Sequence, residues 1–558
     1  MPRLGLALAV VGYIAADTPS LLPRPWYFQG LIGGISALIF YGIGVLIADL
    51  WGAFARWAHL EVTIRPRARR TLTILWYAVL AAGLLVYPFL NLSWHDYVTS
   101  FVGQPSPGIL YPVASALAAA LVMFLFVAIF RLLAKLSRSL TRRLERRRVR
   151  DGIAKVVAAV LTLVIVAVVM DQVVLRGVFA VAALQSVRVN ASSPAGLSAP
   201  TSPLRSGGPG SLVTWQSLGS DGASFVASGP DAAQIQAATD APAKEPIRVF
   251  VGMEGDRSLE GNRDLAIAEM ERTGAFDRKA IVVLTSTSTG FVNEWAADSA
   301  EYLLNGDIAT VTMAYSTLPS AFALLSDRQT PPAASRLLFD AVKAKVAARP
   351  AASRPKLYVG GESLGAYGGN GAYASADEML SEVDGALWTG TPAFTPVHTE
   401  LTNQRAFGST VVNPVVDGGK HVRFASNASQ LSADQFGHAY PQWEAPRVAY
   451  LQHTTDAVVW WTPDLIFHTP QWLMETRPPG TPMSRMSWMP FVTFWQVTSD
   501  MAMSNTVPGG FGHRYQEAET VPAWAGVLGM DPAADYSRIQ AAIAATPADP
   551  SAGSPTTP

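Results

Sequence analysis

Leu357-Tyr358-Val359-Gly360-Gly361-Glu362-Ser363-Leu364-Gly365-Ala366 is the stretch that decides how the C-terminal half of this chain folds. The apolar run Leu357 to Gly360 suits a buried strand, and the small residues from Ala366 to Ala374 can open a helix. A serine at the apex of strand, sharp turn and helix is a nucleophile elbow. There it must take a positive φ, and the residues two positions to either side must be glycine-sized for the helix to pack back on the strand. Gly361 and Gly365 meet that requirement. The five-residue string is weak in isolation, so its flanks carry the reading.

Outward from the serine, short apolar runs rich in β-branched residues alternate with helical patterns. Ile247 to Val251, Ala280 to Leu284, Ala309 to Ala314 and Lys356 to Val359 precede it; Gly385 to Thr389 and Arg447 to Gln452 follow. Between them, Asp264 to Thr273, Glu294 to Leu304 and Ala333 to Ala347 space their apolar residues at three and four, as in Leu337, Leu338, Ala341, Val342 and Val346. Alternation of this kind predicts an α/β domain over 246–540, a mostly parallel sheet flanked by helices.

A serine nucleophile needs a base, and the base an orienting acid; on this architecture the chain order is Ser, Asp or Glu, His. Asp456 lies just beyond the strand Val448 to Gln452, better placed than Asp417, Asp434 or Asp464, and it also suits a helix N-cap. His513 sits in the glycine-rich loop Gly509-Gly510-Phe511-Gly512-His513, after the apolar, helix-like run Phe491 to Met503. An imidazole there can take the Ser363 proton and pass it to a leaving group. His398, His421 and His438 precede the acid, His453 falls at the strand end, and His468 lies in a Pro- and Trp-rich excursion. Two backbone N–H donors are needed for the oxyanion. Leu364 is one candidate; Thr287 or Ser288, in the hydroxyl-rich turn Thr285 to Gly290 after a strand, is the other.

The front of the chain is of another kind. Of 558 residues 49% are hydrophobic and only 15% charged, and the excess is concentrated in the first 185. Apolar stretches run over Leu4 to Ala16, Phe28 to Leu50, Thr71 to Leu90, Ile109 to Phe130 and Ile153 to Leu175, which predicts a bundle of about five transmembrane helices over 1–185, the first of them short. Five arginines lie between Arg56 and Arg70, and nine cations between Arg131 and Arg150. The stretch Asn91 to Pro107 has no cation, and Asp17 to Tyr27 only Arg24. This asymmetry predicts a cytoplasmic N-terminus and an extracytoplasmic C-terminal domain. Gly30, Gly33, Gly34, Gly42 and Gly44 on the second span suit close helix packing. Residues 186–245, rich in Ser, Gly, Pro and Ala, read as an extracytoplasmic linker, and 541–558 as a disordered tail.

Zero net charge argues against a nucleic-acid partner, and the absence of cysteine removes disulfides, thiolate nucleophiles and cysteine metal ligands. The reading calls for no cofactor and no metal.

Several pieces together carry a resemblance: Pro19-Ser20-Leu21-Leu22-Pro23-Arg24 with Gln29-Gly30, Thr285 to Phe291, Gly361 to Gly365, Tyr450-Leu451-Gln452-His453 through Asp456, Trp460-Trp461-Thr462-Pro463-Asp464, and Gly512-His513-Arg514-Tyr515. With these the chain resembles the actinobacterial membrane-anchored α/β-hydrolase family that has a multi-span N-terminal domain. The resemblance implies an α/β-hydrolase fold and the nucleophile, acid and base roles for Ser363, Asp456 and His513. Similar sequences carry a glycine where Ser288 stands. Trp460, Trp461, Trp472, Trp488 and Trp495 crowd the region between acid and base, where they suit core packing, an acyl pocket or a headgroup-level surface. The expected function is a serine esterase of the bacterial cytoplasmic membrane acting on a lipid or lipid-linked ester. The alternatives are an acyltransferase with the same triad, or a non-enzymatic lipid-binding or transport module.

Overall fold

The computed structural model describes residues 3–60, 65–146, 150–169, 171–172, 176 and 196–546. Of the predicted tail 541–558, the part from 547 lies outside these residues, as does the junction at 177–195, whereas its first residues belong to a helix (Ser537–Ala544) whose Ile543 is buried in the core. The chain divides into two units: Met1–Val178 with Pro463–Met474 and Pro479–Met503, and Phe179–Thr462 with Glu475–Pro478 and Ser504–Pro558.

The second unit is built on seven parallel strands, β1 (Ile247–Val251), β2 (Ala280–Thr285), β3 (Ile308–Met313), β4 (Lys356–Glu362), β5 (Gly385–Thr389), β6 (Val422–Ala425) and β7 (Arg447–Leu451), in the order β1-β3-β2-β4-β5-β7-β6. β1, β2, β3 and β5 are buried along nearly their whole length, which is why they read as continuous apolar runs. Six of the seven were legible in the sequence. The exception, β6, has four residues and carries Arg423 at its centre. That guanidinium is buried, donates to the carbonyls of Gly419, Leu431 and Pro441, and lies over the Trp443 ring. Register sets the ends of three strands level, since Glu362 pairs with Thr389 and Thr389 with Leu451. The residues that follow β4, β5 and β7 therefore start side by side at one edge of the sheet.

The predicted linker is folded from residue 196 onward. A 3-10 turn (Trp215–Leu218) and the helices Gly219–Ser228 and Ala232–Thr239 place Val213, Leu218, Phe225, Val226 and Ile235 in the core of this unit. Two buried arginines tie the stretch down. Arg205 donates to the carbonyls of Val226, Gly229 and Pro230. Arg248 of β1 donates to the Phe225 carbonyl and pairs with Asp298 and Glu301. Small-residue composition hid this, because the bonds that order the segment run to residues remote in sequence.

In the first unit each predicted apolar stretch overlaps a helix, α1 (Arg3–Ala16), α2 (Trp26–Trp57), α3 (Pro66–Phe101), α4 (Tyr111–Arg146) and α5 (Asp151–Val169), the end of the last stretch lying partly outside the described residues. The predicted count of about five spans is not confirmed. Among the described residues three helices, α2, α4 and α5, are long and apolar enough to cross a membrane. The 14 residues of α1 make a rod of ~21 Å, short of the ~30 Å hydrocarbon layer. Gly30 of α2 meets α4 so closely that a Cβ there would stand 2.3 Å from that of Ala118, whereas Gly42 faces open space. A second difference concerns the domain boundary: Pro463–Met474 and Pro479–Met503, predicted inside 246–540, fold with these helices instead.

Candidate active site

Ser363 stands between β4 and the helix Leu364–Gly371 with φ 57° and ψ −121°, the strained turn the flanking glycines predict. A Cβ on Gly361 would lie 2.7 Å from the carbonyl carbon of Gly365, and one on Gly365 2.2 Å from the Thr285 carbonyl oxygen. The second clash shows how near the loop after β2 comes to the first turn of the helix.

Three strand ends assemble the rest. The Ser363 amide donates to the Thr389 carbonyl at 3.0 Å, and the next residue, Gly390, takes φ 57° and donates to the Leu451 carbonyl at 2.9 Å. A Cβ on Gly390 would stand 2.3 Å from His513 Cε1 and 3.0 Å from Asp456 Oδ2, so this glycine makes room for the imidazole and its carboxylate. His513 Nδ1 lies 2.7 Å from Asp456 Oδ2. Its Nε2 is buried and has no hydrogen-bond partner among the described residues. The two readings of Asp456 turn out to be compatible: Oδ1 caps the short Ala457–Trp460 helix through the Val458 amide at 2.9 Å, while Oδ2 faces the histidine.

Ser363, Asp456 and His513 thus lie in one unit at one sheet edge. The rivals do not. His398 is buried against Gln452 Oε1 at 3.0 Å, and burial lowers its pKa to about 4. His421 faces the Glu444 carbonyl, His438 pairs with Asp434 at the surface, and Asp417 closes a turn on the amides of Lys420 and His421. Asp464 and His468 are exposed in the other unit. His453, at the end of β7, is buried beside the site and is bonded through both ring nitrogens, to the Gly512 carbonyl at 2.8 Å and to Glu519 at 2.6 Å.

Of the oxyanion candidates, the Leu364 amide opens the helix and makes no hydrogen bond among the described residues. The Thr287 amide is committed to the Phe291 carbonyl at 2.9 Å. Ser288 is buried, its carbonyl accepts from Tyr315 and Ser316, and its amide has no partner among the described residues. Within the Thr287–Ser288 alternative, Ser288 alone keeps a free donor.

Two residues were missed. Tyr515 donates its hydroxyl to Asp456 Oδ2 at 2.7 Å and stacks on His453 with ring centroids 4.2 Å apart. Its position two residues after His513 was a usable signal. Glu362, the variable residue of the elbow, is buried and accepts from Asn293 and from Thr389 at 3.2 Å. Nothing in the motif points to it, because the motif leaves that position open. Burial raises the Glu362 pKa, with His513, Asn293 and Thr389 opposing. Burial also works against a charged His513, but Asp456 and Glu362 outweigh it and raise its pKa above the usual histidine value.

The comparisons agree with this fold. The alpha/beta-hydrolase family matches residues 247–539, more than half of the chain, and the N-terminal region of that family matches 18–230. The chain belongs to the alpha/beta-hydrolase family. No curated protein and no solved structure matches it. Membership accounts for the parallel sheet with its flanking helices, and the second match makes the apolar helical region a part of the family. Among the described residues no group of three or more His, Asp or Glu is placed to hold a metal ion.

Proposed function

We propose that this alpha/beta-hydrolase is a membrane-anchored serine esterase working through an acyl-Ser363 intermediate. One observation carries the reading. At the elbow that bears Ser363, a buried histidine is oriented by a carboxylate through Nδ1 while Nε2 stays unpaired among the described residues. Nε2 takes the Ser363 hydroxyl proton as Oγ attacks the ester carbonyl, and the charge on the carbonyl oxygen is met by the amides of Leu364 and Ser288. His513 then gives the proton to the departing alkoxide, which leaves as the alcohol. Water, activated by the same nitrogen, splits the acyl-serine and restores the hydroxyl. Asp456 stays ionised throughout and stabilises the imidazolium.

The substrate we propose is a lipid or lipid-linked ester met at the extracytoplasmic face of the cytoplasmic membrane. Three apolar helices of spanning length support a membrane setting. The cation-poor stretches 17–27 and 91–107, set against the arginine clusters at 56–70 and 131–150, support the orientation.

Labelling of membranes with a fluorophosphonate tests the chemistry: wild type is expected to label and Ser363→Ala to stay blank. Labelling that persists without Ser363 would overturn the assignment. For the topology, a reporter fused after Pro558 is expected to be active only outside the cytoplasm.

A further inference from the structure

The stretch 196–245 folds with the alpha/beta-hydrolase unit, yet elbow, acid and base give its helix Gly219–Ser228 no task. The first turn of that helix carries Asp221, and this carboxylate meets the hydroxyl-rich turn that follows β2. Thr289 donates its hydroxyl to Asp221 Oδ2 at 2.6 Å. A buried ring of β1 joins the same two segments. A Cβ on Gly222 would stand 2.3 Å from Phe250 Cε1, and one on Gly290 2.5 Å from Cζ of the same ring. Helix and turn are thus seated on one fully buried phenylalanine.

What the turn carries makes the arrangement more than a packing contact. The Thr287 carbonyl accepts from the Gly290 amide at 3.0 Å, and the Thr287 amide donates to the Phe291 carbonyl at 2.9 Å. The Thr287 carbonyl and the Ser288 amide belong to one planar trans peptide, so holding the oxygen inside the turn aims the Ser288 N–H out of it. The next peptide is held too, because the Ser288 carbonyl accepts from the amides of Tyr315 and Ser316 at 3.2 and 2.9 Å, just beyond β3. Gly290 completes the turn at φ 116°, a conformation that favours glycine. Backbone bonds therefore fix the turn from within and from β3. Toward the helix Gly219–Ser228 the tie is a side-chain bond, Thr289 to Asp221, and a carboxylate acceptor makes it stronger than a neutral one would.

We propose that Asp221 is a positioning residue for the oxyanion hole, setting through Thr289 the turn that offers the Ser288 amide to the substrate's carbonyl oxygen. The proposal rests on the acyl-Ser363 reading above. It gives a share in the chemistry to a stretch whose composition reads as a linker.

The test uses the purified full-length chain in detergent and follows its inactivation by a fluorophosphonate, whose phosphoryl oxygen takes the place of the carbonyl oxygen. Maximal rate and half-saturating concentration are read separately, across pH, with thermal unfolding of each sample alongside. Asp221→Ala and Thr289→Val are each expected to lower the maximal rate by about tenfold or more, the direction of a weakened oxyanion donor. The half-saturating concentration and the pH midpoint stay those of wild type, because binding and the His513–Asp456 pair are untouched. Combining the two changes costs no more than the larger single one, since both remove the same bond. Asp221→Asn and Thr289→Ser, which keep an acceptor and a hydroxyl, return to within about threefold of wild type. Should Asp221→Ala not fold, Thr289→Val, which keeps the side-chain volume, carries the test. A fall of less than about tenfold in the disruptive variants would overturn the proposal, as would a fall that lies in the half-saturating concentration or comes with a moved pH midpoint. So would conservative variants as slow as the disruptive ones, which would make the contact a structural tie only. Failure of the wild type itself to react counts against the esterase reading instead.

Discussion

Two histidines of the alpha/beta-hydrolase unit each face a buried carboxylate, His513 with Asp456 at 2.7 Å and His453 with Glu519 at 2.6 Å. In both, burial disfavours the imidazolium and the partner carboxylate outweighs it, so both pKa values lie above the usual histidine value. The difference is in the second nitrogen. His453 gives it to the Gly512 carbonyl, whereas His513 Nε2 is left without a partner among the described residues. A histidine bonded at both nitrogens holds backbone in place; one bonded only through Nδ1 can accept a proton at Nε2. The two pairs are joined, because Tyr515 stacks on His453 and donates to Asp456.

The contrast breaks most sharply under His513→Ala, which is expected to cut turnover or probe labelling on the order of 10⁴-fold with little change in thermal stability. Glu519→Ala should do the reverse. Leaving His453 buried without its partner is expected to cost about 3–5 kcal/mol in denaturant titration, with activity surviving in whatever remains folded. A third variant acts on geometry alone: Gly390→Ala drives a methyl into the His513 ring, and a loss of about a hundredfold in labelling is expected without loss of the fold. Tyr515→Phe removes one hydrogen bond to a carboxylate, and about a tenfold loss in rate would mark that bond as a tuning contact. An effect as large as that of His513→Ala would erase the proposed division of labour.

The smallest effect is in pH, and its sign separates stability from activity. Each imidazole has a folded-state pKa raised above its unfolded value of about 6.5, so each contributes stability that is complete below that pH and is lost as pH rises through the raised folded value. Activity runs the other way, since His513 must be neutral to accept the serine proton. Labelling should therefore rise with pH across the window in which thermal stability falls. His453→Gln should flatten part of the stability slope and leave the activity midpoint in place; a moved midpoint would show that His453 titrates with the catalytic pair.

How much of this was legible in the sequence depended on the range of the interactions concerned. The elbow was readable because most of its requirements are local: a strand, a positive φ and, at Gly361, a Cβ that would strike the backbone of Gly365; only the Gly365 clash, with the Thr285 carbonyl at the end of β2, is remote in the chain. Six strands were readable because burial on both faces demands unbroken apolar runs. β6 was not, since Arg423 is stabilised there by carbonyls and an aromatic ring that only the folded chain brings near. The segment from 196 to 245 was misjudged for the same reason, its order residing in Arg205 and Arg248.

The sequence by itself determined the fold class, the apolar helical region and a serine, aspartate and histidine in workable order, because strand burial, helix periodicity and turn sterics act between near neighbours in the chain. Among the described residues, tertiary structure alone decided that His513 and not His453 keeps a ring nitrogen without a partner, that Ser288 and not Thr287 keeps a free amide, and that 463–503 folds largely with the N-terminal helices. Each of those outcomes depends on which remote donor or acceptor is already taken, and that is settled only when distant segments meet.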